Sequence, residues 1–243
     1  LKVSLIQGNI SQDKKWDSKF LNESLIKYMR LIKSSNASLI VLPETSIPLM
    51  LHQIPNNYLN EIRSHAIKND GDVILGVIEK EKEEFYNSAI SIGTAPMQSY
   101  RKFHLVPFGE FIPFNKIIGY IYKNWLDIPF SDLSRGLEIQ PPIVLSGQRL
   151  GLNICYEDVF GYEINKSLPE ATLLVNISND AWYGKSIAAS QHLQISQARA
   201  METQRMMLRA TNTGVTAIID INGDLISSLP QHEVGILDGI VQG

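Results

Sequence analysis

The sequence predicts an α/β fold built as one unit, on three observations. Strand-like and helix-like segments alternate from one end of the chain to the other. No internal repeat, low-complexity tract or evident linker interrupts them. The chain has 243 residues, 44% of them apolar and 19% charged, and a globular chain of that length buries roughly 70 to 75% of its unfolded surface, enough for a core without a metal or disulfide staple.

The elements follow in order. Residues 2–10 (KVSLIQGNI) form a first strand, and a helix is predicted from about Asp17 to Lys33, where Leu21, Leu25, Tyr28 and Ile32 recur at spacings of three and four. Leu39 to Leu42 is a short apolar run stopped by Pro43 and Glu44, the form of a buried strand whose carboxyl end delivers a carboxylate. A helix over Asn56 to Lys68 precedes strands at Val73–Glu79, Tyr86–Ile92 and Ser99–Lys102. Strands resume at Ile143–Leu145 and Arg149–Tyr156, with a short helix near Tyr162–Ser167 and a strand at Leu173–Ser178. A helical pattern from about Ile187 to Leu208 carries Leu193, Ala200 and Met207 near sevenfold spacing. Three closing strands are predicted at Val215–Ile221, Asp224–Ser228 and Gly235–Val241, with Asn222-Gly223 turning the first two into a hairpin.

Between Tyr100 and Phe130 lie nine of the chain's aromatic residues: Tyr100, Phe103, Phe108, Phe111, Phe114, Tyr120, Tyr122, Trp125 and Phe130. Pro107, Gly109, Pro113, Gly119 and Pro129 break regular structure there. The stretch reads as a long apolar loop over a binding site, since loops concentrate binding residues.

Composition removes several functions. Lys plus Arg is 22 against 25 Asp plus Glu, a net charge of −3, with no basic run, so nucleic acid is excluded as a main partner. No apolar stretch approaches the roughly 18 to 20 residues that span a bilayer. The chain opens on Leu1 and enters a strand at once, so an upstream targeting or transmembrane segment is expected to lie outside it. G-x-S-x-G, G-x-G-x-x-G and H-E-x-x-H are all missing. Gly184-Lys185-Ser186 imitates the end of a phosphate loop, but Asn179 occupies the required earlier glycine position.

Three residues remain as carriers of chemistry. Cys155, the single cysteine, sits at the polar end of an apolar run beside Glu157 and Asp158, where open α/β sheets present ligands. A thiol needs a base or a cation to become an effective nucleophile. His104 and His192 are candidate bases, and so is Glu44, held after Pro43 at a strand end. Lys102, at the end of the third of the early strands, could stabilise an oxyanion.

With Glu44, Lys102 and Cys155 in that chain order, the sequence resembles the nitrilase superfamily. The runs YRKFHLVPFGEFIP (100–113), NICYEDVFG (153–161), NISNDAWYGKS (176–186), QHLQISQARAMETQR (191–205) and RATNTGVTAIID (209–220), with the opening VSLIQGNISQDKKWD (3–17), resemble the periplasmic domain of the bacterial apolipoprotein N-acyltransferase family. That resemblance implies a four-layer α-β-β-α sandwich, one domain over residues 1–243. It implies acyl transfer from a phospholipid, through a Cys155 thioester, to the amine of a diacylglyceryl apolipoprotein at the periplasmic face of the inner membrane. Glu44 would be the general base and Lys102 the oxyanion stabiliser. Supporting roles would fall to Glu110 beside Lys102, the Tyr156 backbone N–H at the oxyanion, Glu157 in the same network, and Trp16 near the site mouth. No cofactor or metal is implied. Two details depart from the family: Ala188-Ala189-Ser190 stands where a Gly-Pro pair is common, and Met206 where a proline often follows the arginine. The same triad would also serve a soluble carbon-nitrogen hydrolase acting on an amide, and a non-catalytic module could keep the fold.

Overall fold

The computed structural model describes residues 1–111, 132–184 and 186–243. Twelve strands in the described residues form two six-stranded sheets. The first holds β1 (Lys2–Gln7), β2 (Leu39–Val41), β3 (Asp72–Glu81), β4 (Glu84–Gly93), β5 (Ser99–Arg101) and β12 (Gly235–Ile240), in the order β12-β1-β2-β3-β4-β5. The second holds β6 (Ile143–Leu145), β7 (Gln148–Ile154), β8 (Leu173–Ser178), β9 (Met207–Thr211), β10 (Ala217–Ile219) and β11 (Leu225–Ser228), in the order β11-β10-β9-β8-β7-β6. Read from β12, the first sheet pairs antiparallel, parallel, parallel, antiparallel, antiparallel. Read from β6, the second gives the same series. The chain therefore builds one topology twice.

Alternation along the parallel strands explains the layering, because successive side chains leave opposite faces. Leu39 and Val41 of β2 point into a core shared with Leu173, Val175 and Ile177 of β8, while Ile40 points the other way. That outer face of the first sheet meets α2 (Leu21–Ser34) and α3 (Asn56–Lys68), which supply Tyr28, Ile32, Ile62 and Ala66. The outer face of the second sheet, with Leu174 and Met207, meets Leu193 and Ala200 of α5 (Ala188–Thr203). Helix, sheet, sheet and helix are the four layers expected. Two four-residue helices, α1 (Gln12–Lys15) and α4 (Gly161–Ile164), lie in loops at the strand ends.

Several predicted boundaries move. The first strand stops at Gln7, and the helix expected from Asp17 opens with a 3-10 turn whose Lys19 N–H donates to the Asp17 carboxylate, at 2.9 Å. The larger correction concerns the helix predicted to reach Leu208. It ends at Thr203, where Gln204 takes a left-handed conformation (φ 53) and the Arg205 N–H donates to the Ala200 carbonyl. Met207–Thr211 is instead β9, a central strand whose five residues are all buried. A left-handed C-terminal residue is usually glycine, so glutamine there gave no stop signal. Asn222-Gly223 does turn a hairpin: Gly223 (φ 83) donates to the Asp220 carbonyl, and the Asp220 carboxylate accepts from the N–H groups of Asn222 and Asp224. Most of the aromatic stretch, including Phe114, Tyr120, Tyr122, Trp125 and Phe130, lies outside the described residues.

Candidate active site

Glu44 is placed by the end of β2. Leu42 and Pro43 finish the buried run, and the chain turns through Thr45 at φ 43. Neighbouring β3 passes so close beneath that a Cβ on Gly76 would stand 2.4 Å from the Pro43 carbonyl oxygen and 2.7 Å from the Glu44 Cα. Only glycine permits that approach. The buried Glu44 carboxylate accepts from Asn87 Nδ2 (2.7 Å) and Lys102 Nζ (3.4 Å) on Oε1, and from the Asn179 backbone N–H (2.9 Å) on Oε2. Burial works against its charge, but Lys102, Asn87, Lys15 and the Asn179 N–H together hold its pKa below the usual 4.5. Glu44 is an ionised base with lone pairs to spare.

Lys102 follows β5 directly, and its backbone is held at both ends: its N–H donates to the Asn87 carbonyl and its carbonyl accepts from the Gly136 N–H, each at 2.8 Å. The side chain is 1% exposed, and its ammonium contacts Glu110 Oε1 (2.9 Å) as well as Glu44. Burial disfavours the charge, yet the Glu110 and Glu44 carboxylates outweigh it and keep the pKa well above 10.5. Glu110 also accepts from Asn87 Nδ2 (2.8 Å) and the Val106 N–H (2.8 Å). Asn87 on β4 thus spans both carboxylates.

Cys155 begins a 3-10 turn (Cys155–Val159) just past β7, and it has φ 54. A left-handed non-glycine residue costs roughly 1–3 kcal/mol and persists only where its surroundings impose it. Here the Cys155 carbonyl oxygen accepts from Asn176 Nδ2 and faces His192 Nε2, each at 3.1 Å. Burial, then the Glu44 charge, push the thiol pKa far up, while Lys102 pulls against them. The resting state is therefore a neutral thiol, an ionised Glu44 and a charged Lys102.

Glu157 ties these segments together. Its Oε2 accepts from the Ile154 N–H (2.7 Å) and Tyr100 Oη (3.0 Å), and its Oε1 from the N–H groups of Phe103 (2.7 Å) and His104 (3.1 Å). One buried carboxylate thus joins the residue before Cys155 to the two residues after Lys102. Burial raises its pKa to about 7 against Lys102 and those backbone donors.

The structure brings Glu44, Lys102, Cys155 and Glu157 into one buried cluster, with the partly buried Glu110 against Lys102 at its edge. Tyr156 opens toward solvent, 36% exposed, with its ring edge-on to Phe160. Trp16 is half-buried at the end of α1, with the Lys15 ammonium 5.8 Å from its ring. His104 stacks on Phe160 and contacts Glu163, and His192 lies against the Cys155 carbonyl rather than serving as a base for the thiol. Sequence reasoning missed Asn87 and Lys15. Lys15 is 4% exposed, its ammonium donates to the Glu44 carbonyl oxygen at 3.2 Å, and burial lowers its pKa to about 8 despite the nearby Glu44 and Cys155. A lysine in a polar turn carries no signal that it will be buried.

A doubled sheet sandwich that gathers a carboxylate, an ammonium and a thiol at its strand ends defines a class of enzyme, and the chain belongs to it: residues 2–242 match the carbon-nitrogen hydrolase family, of which this protein is a member. It is 51% identical over 243 residues to the apolipoprotein N-acyltransferase of Nitrosomonas europaea, covering 99% of this chain and 49% of that protein. It is 43% identical over 244 residues to that of Chromobacterium violaceum, covering 100% of this chain and 47% of the other. The chain thus spans about half the length of these relatives. Among solved structures, the NitFhit protein of C. elegans superposes with a TM-score of 0.74 at 18% identity, over 98% of this chain and 60% of that one. A CN-hydrolase superfamily protein from Xanthomonas campestris, with an arsenic adduct in its active site, gives 0.71 at 18% identity, over 98% and 89%. These structures share the fold.

Proposed function

We infer that this chain is the catalytic domain of an apolipoprotein N-acyltransferase, working by a thioester on Cys155. The observation that carries the reading is the buried contact of Glu44 with Lys102 beside the thiol, on a chain half identical to a protein of that name. The acyl donor is a phospholipid and the acceptor the α-amine of a diacylglyceryl apolipoprotein, met at the periplasmic face of the bacterial inner membrane.

The chemistry follows from the resting charges. Glu44 takes the thiol proton as Sγ attacks the ester carbonyl, so the thiolate need not exist in advance. The new oxyanion is met by the Lys102 ammonium and the Tyr156 N–H, a first-turn donor with no acceptor within its own helical turn. Collapse expels the lysophospholipid alkoxide, which takes the proton back from Glu44. The amine then attacks the thioester, Glu44 accepts its proton, and the thiol leaves reprotonated. Glu110 and Asn87 hold the ammonium against Glu44, and Trp16 stands at the mouth.

Intact mass of the full-length protein after exposure to phospholipid vesicles tests this. An acyl adduct that disappears on adding a diacylglyceryl lipopeptide, with the peptide gaining the same mass, is the expected result. Ammonia release from small amides without an adduct would favour a hydrolase; neither product would favour a non-catalytic module.

A pH dependence follows from Glu157. As a carboxylate it satisfies four donors, and a proton on it deprives one of them. Acylation of Cys155 should therefore fall along a one-proton curve below about pH 7. Stability runs the other way: the folded pKa lies above the usual 4.5, so this group's contribution is greatest below 4.5 and declines as the pH rises to 7. Glu157→Gln should lack the acid limb and acylate about tenfold or more slowly at pH 8, the cost of a buried donor left unpaired.

A further inference from the structure

Against the Cys155 carbonyl lies a second buried cluster that the chemistry above does not use. His192 on α5 faces three oxygens: Nδ1 is 3.1 Å from Asp180 Oδ1, and Nε2 is 2.8 Å from Asp158 Oδ1 and 3.1 Å from the Cys155 carbonyl. Asp180 lies just after β8, and Asp158 belongs to the Cys155 turn. Arg209 on β9 closes the cluster, donating to Asp180 Oδ2 (2.9 Å), Asn176 Oδ1 (2.8 Å) and Ser196 Oγ (3.0 Å), and reaching Asp158 Oδ2 at 3.4 Å. Ser196 donates to Asp158 Oδ2 (2.6 Å) and Ser178 to Asp180 Oδ1 (2.7 Å). Arg209, Asp158 and Ser196 are fully buried.

Two features fix the state of the ring. A neutral imidazole donates from one nitrogen only, yet both nitrogens here face acceptor oxygens. Two buried carboxylates with one guanidinium leave a net −1, which a second cation on the ring cancels, and buried charges persist only when compensated. We propose that His192 is a positioning residue: as an imidazolium it grips the Cys155 carbonyl and so keeps the nucleophile in its left-handed turn. Burial and Arg209 oppose the charge, but Asp158 and Asp180 outweigh them and raise the pKa above 6.5. The same pair of charges, Arg209 and His192, holds Asp180 far below the usual carboxylate range. The inference deepens the acyl-transfer reading and rests on it for its importance.

The test uses the full-length protein and two substitutions. His192→Gln keeps a neutral N–H donor near the position of Nε2; His192→Ala removes it. Cys155 alkylation by iodoacetamide, read by mass, should slow about 10- to 100-fold in His192→Ala, the penalty of a displaced reacting group. In His192→Gln it should stay within about fivefold of wild type at neutral pH, the worth of one hydrogen bond. The wild-type to His192→Gln ratio should approach one as the pH rises and the imidazolium discharges. If His192→Ala does not fold, the glutamine variant and its pH profile decide. Wild-type rates with an unchanged profile in a folded variant overturn the proposal, as do equal losses in both variants. Because alkylation needs no second substrate, absence of a phospholipid adduct on wild type would sink the acyl-donor reading and leave this result standing.

Discussion

Cys155→Ser, exposed to phospholipid vesicles as full-length protein, should carry no acyl mass and transfer none, a loss of at least about 10³-fold. The reason lies in the resting state rather than in geometry. Glu44 is ionised and must remove the nucleophile's proton during attack, and a serine hydroxyl is far more reluctant to lose its proton than a thiol. The site's burial, which already pushes the thiol pKa upward, would penalise an alkoxide more. The exchange changes one atom in a turn held through its backbone carbonyl, so the fold should survive it, with a Tm within about 4 °C of wild type for a change near 1 kcal/mol. An adduct of equal mass on the serine protein, formed at a similar rate, would remove Cys155 from its role.

Lys102→Met should damage both activity and stability. Removing the ammonium leaves the buried Glu44 and the partly buried Glu110 facing each other through Asn87, two carboxylates without a cation between them. Breaking a buried ion pair on one side costs about 3–5 kcal/mol. Losing an oxyanion donor costs about 10²–10³-fold in rate. The Glu44 pKa should rise once its largest opposing charge is gone, so residual activity should shift to higher pH. Denaturant unfolding and the pH profile of acylation check the two halves separately. Adding Glu110→Gln to Lys102→Met should recover part of the stability and none of the rate. A double variant that regained the rate would show that Lys102 acts only as a counter-ion.

How far the sequence carried can be judged from particular segments. Asn56–Lys68 and Leu173–Ser178 were legible to the residue, since periodicity and composition are local signals. Glu44 and Cys155 were legible because each stands where an apolar strand run meets polar residues, and Lys102 because it closes a short strand just before the HLVPFGEF run. Met207–Thr211 was not: Met207 continues the sevenfold series of the preceding helix, and Arg209 resembles a surface residue until Asp158, Asp180 and Asn176 close around it. Burial of Lys15 and Asn87 depends on what other segments bring to them, which no window of sequence contains.

The base and the ammonium arrive from one sheet and the sulfur from the other, and the gap between them is set by the apolar layer of Leu39, Val41, Leu173 and Val175 together with the Glu157 and Glu44–Asn179 hydrogen bonds that cross it. Reactivity should consequently serve as a gauge of how those two slabs are seated. A methylene lost from that layer, far from any reacting atom, lets one half slide on the other, and the enzyme should go quiet while it is still folded.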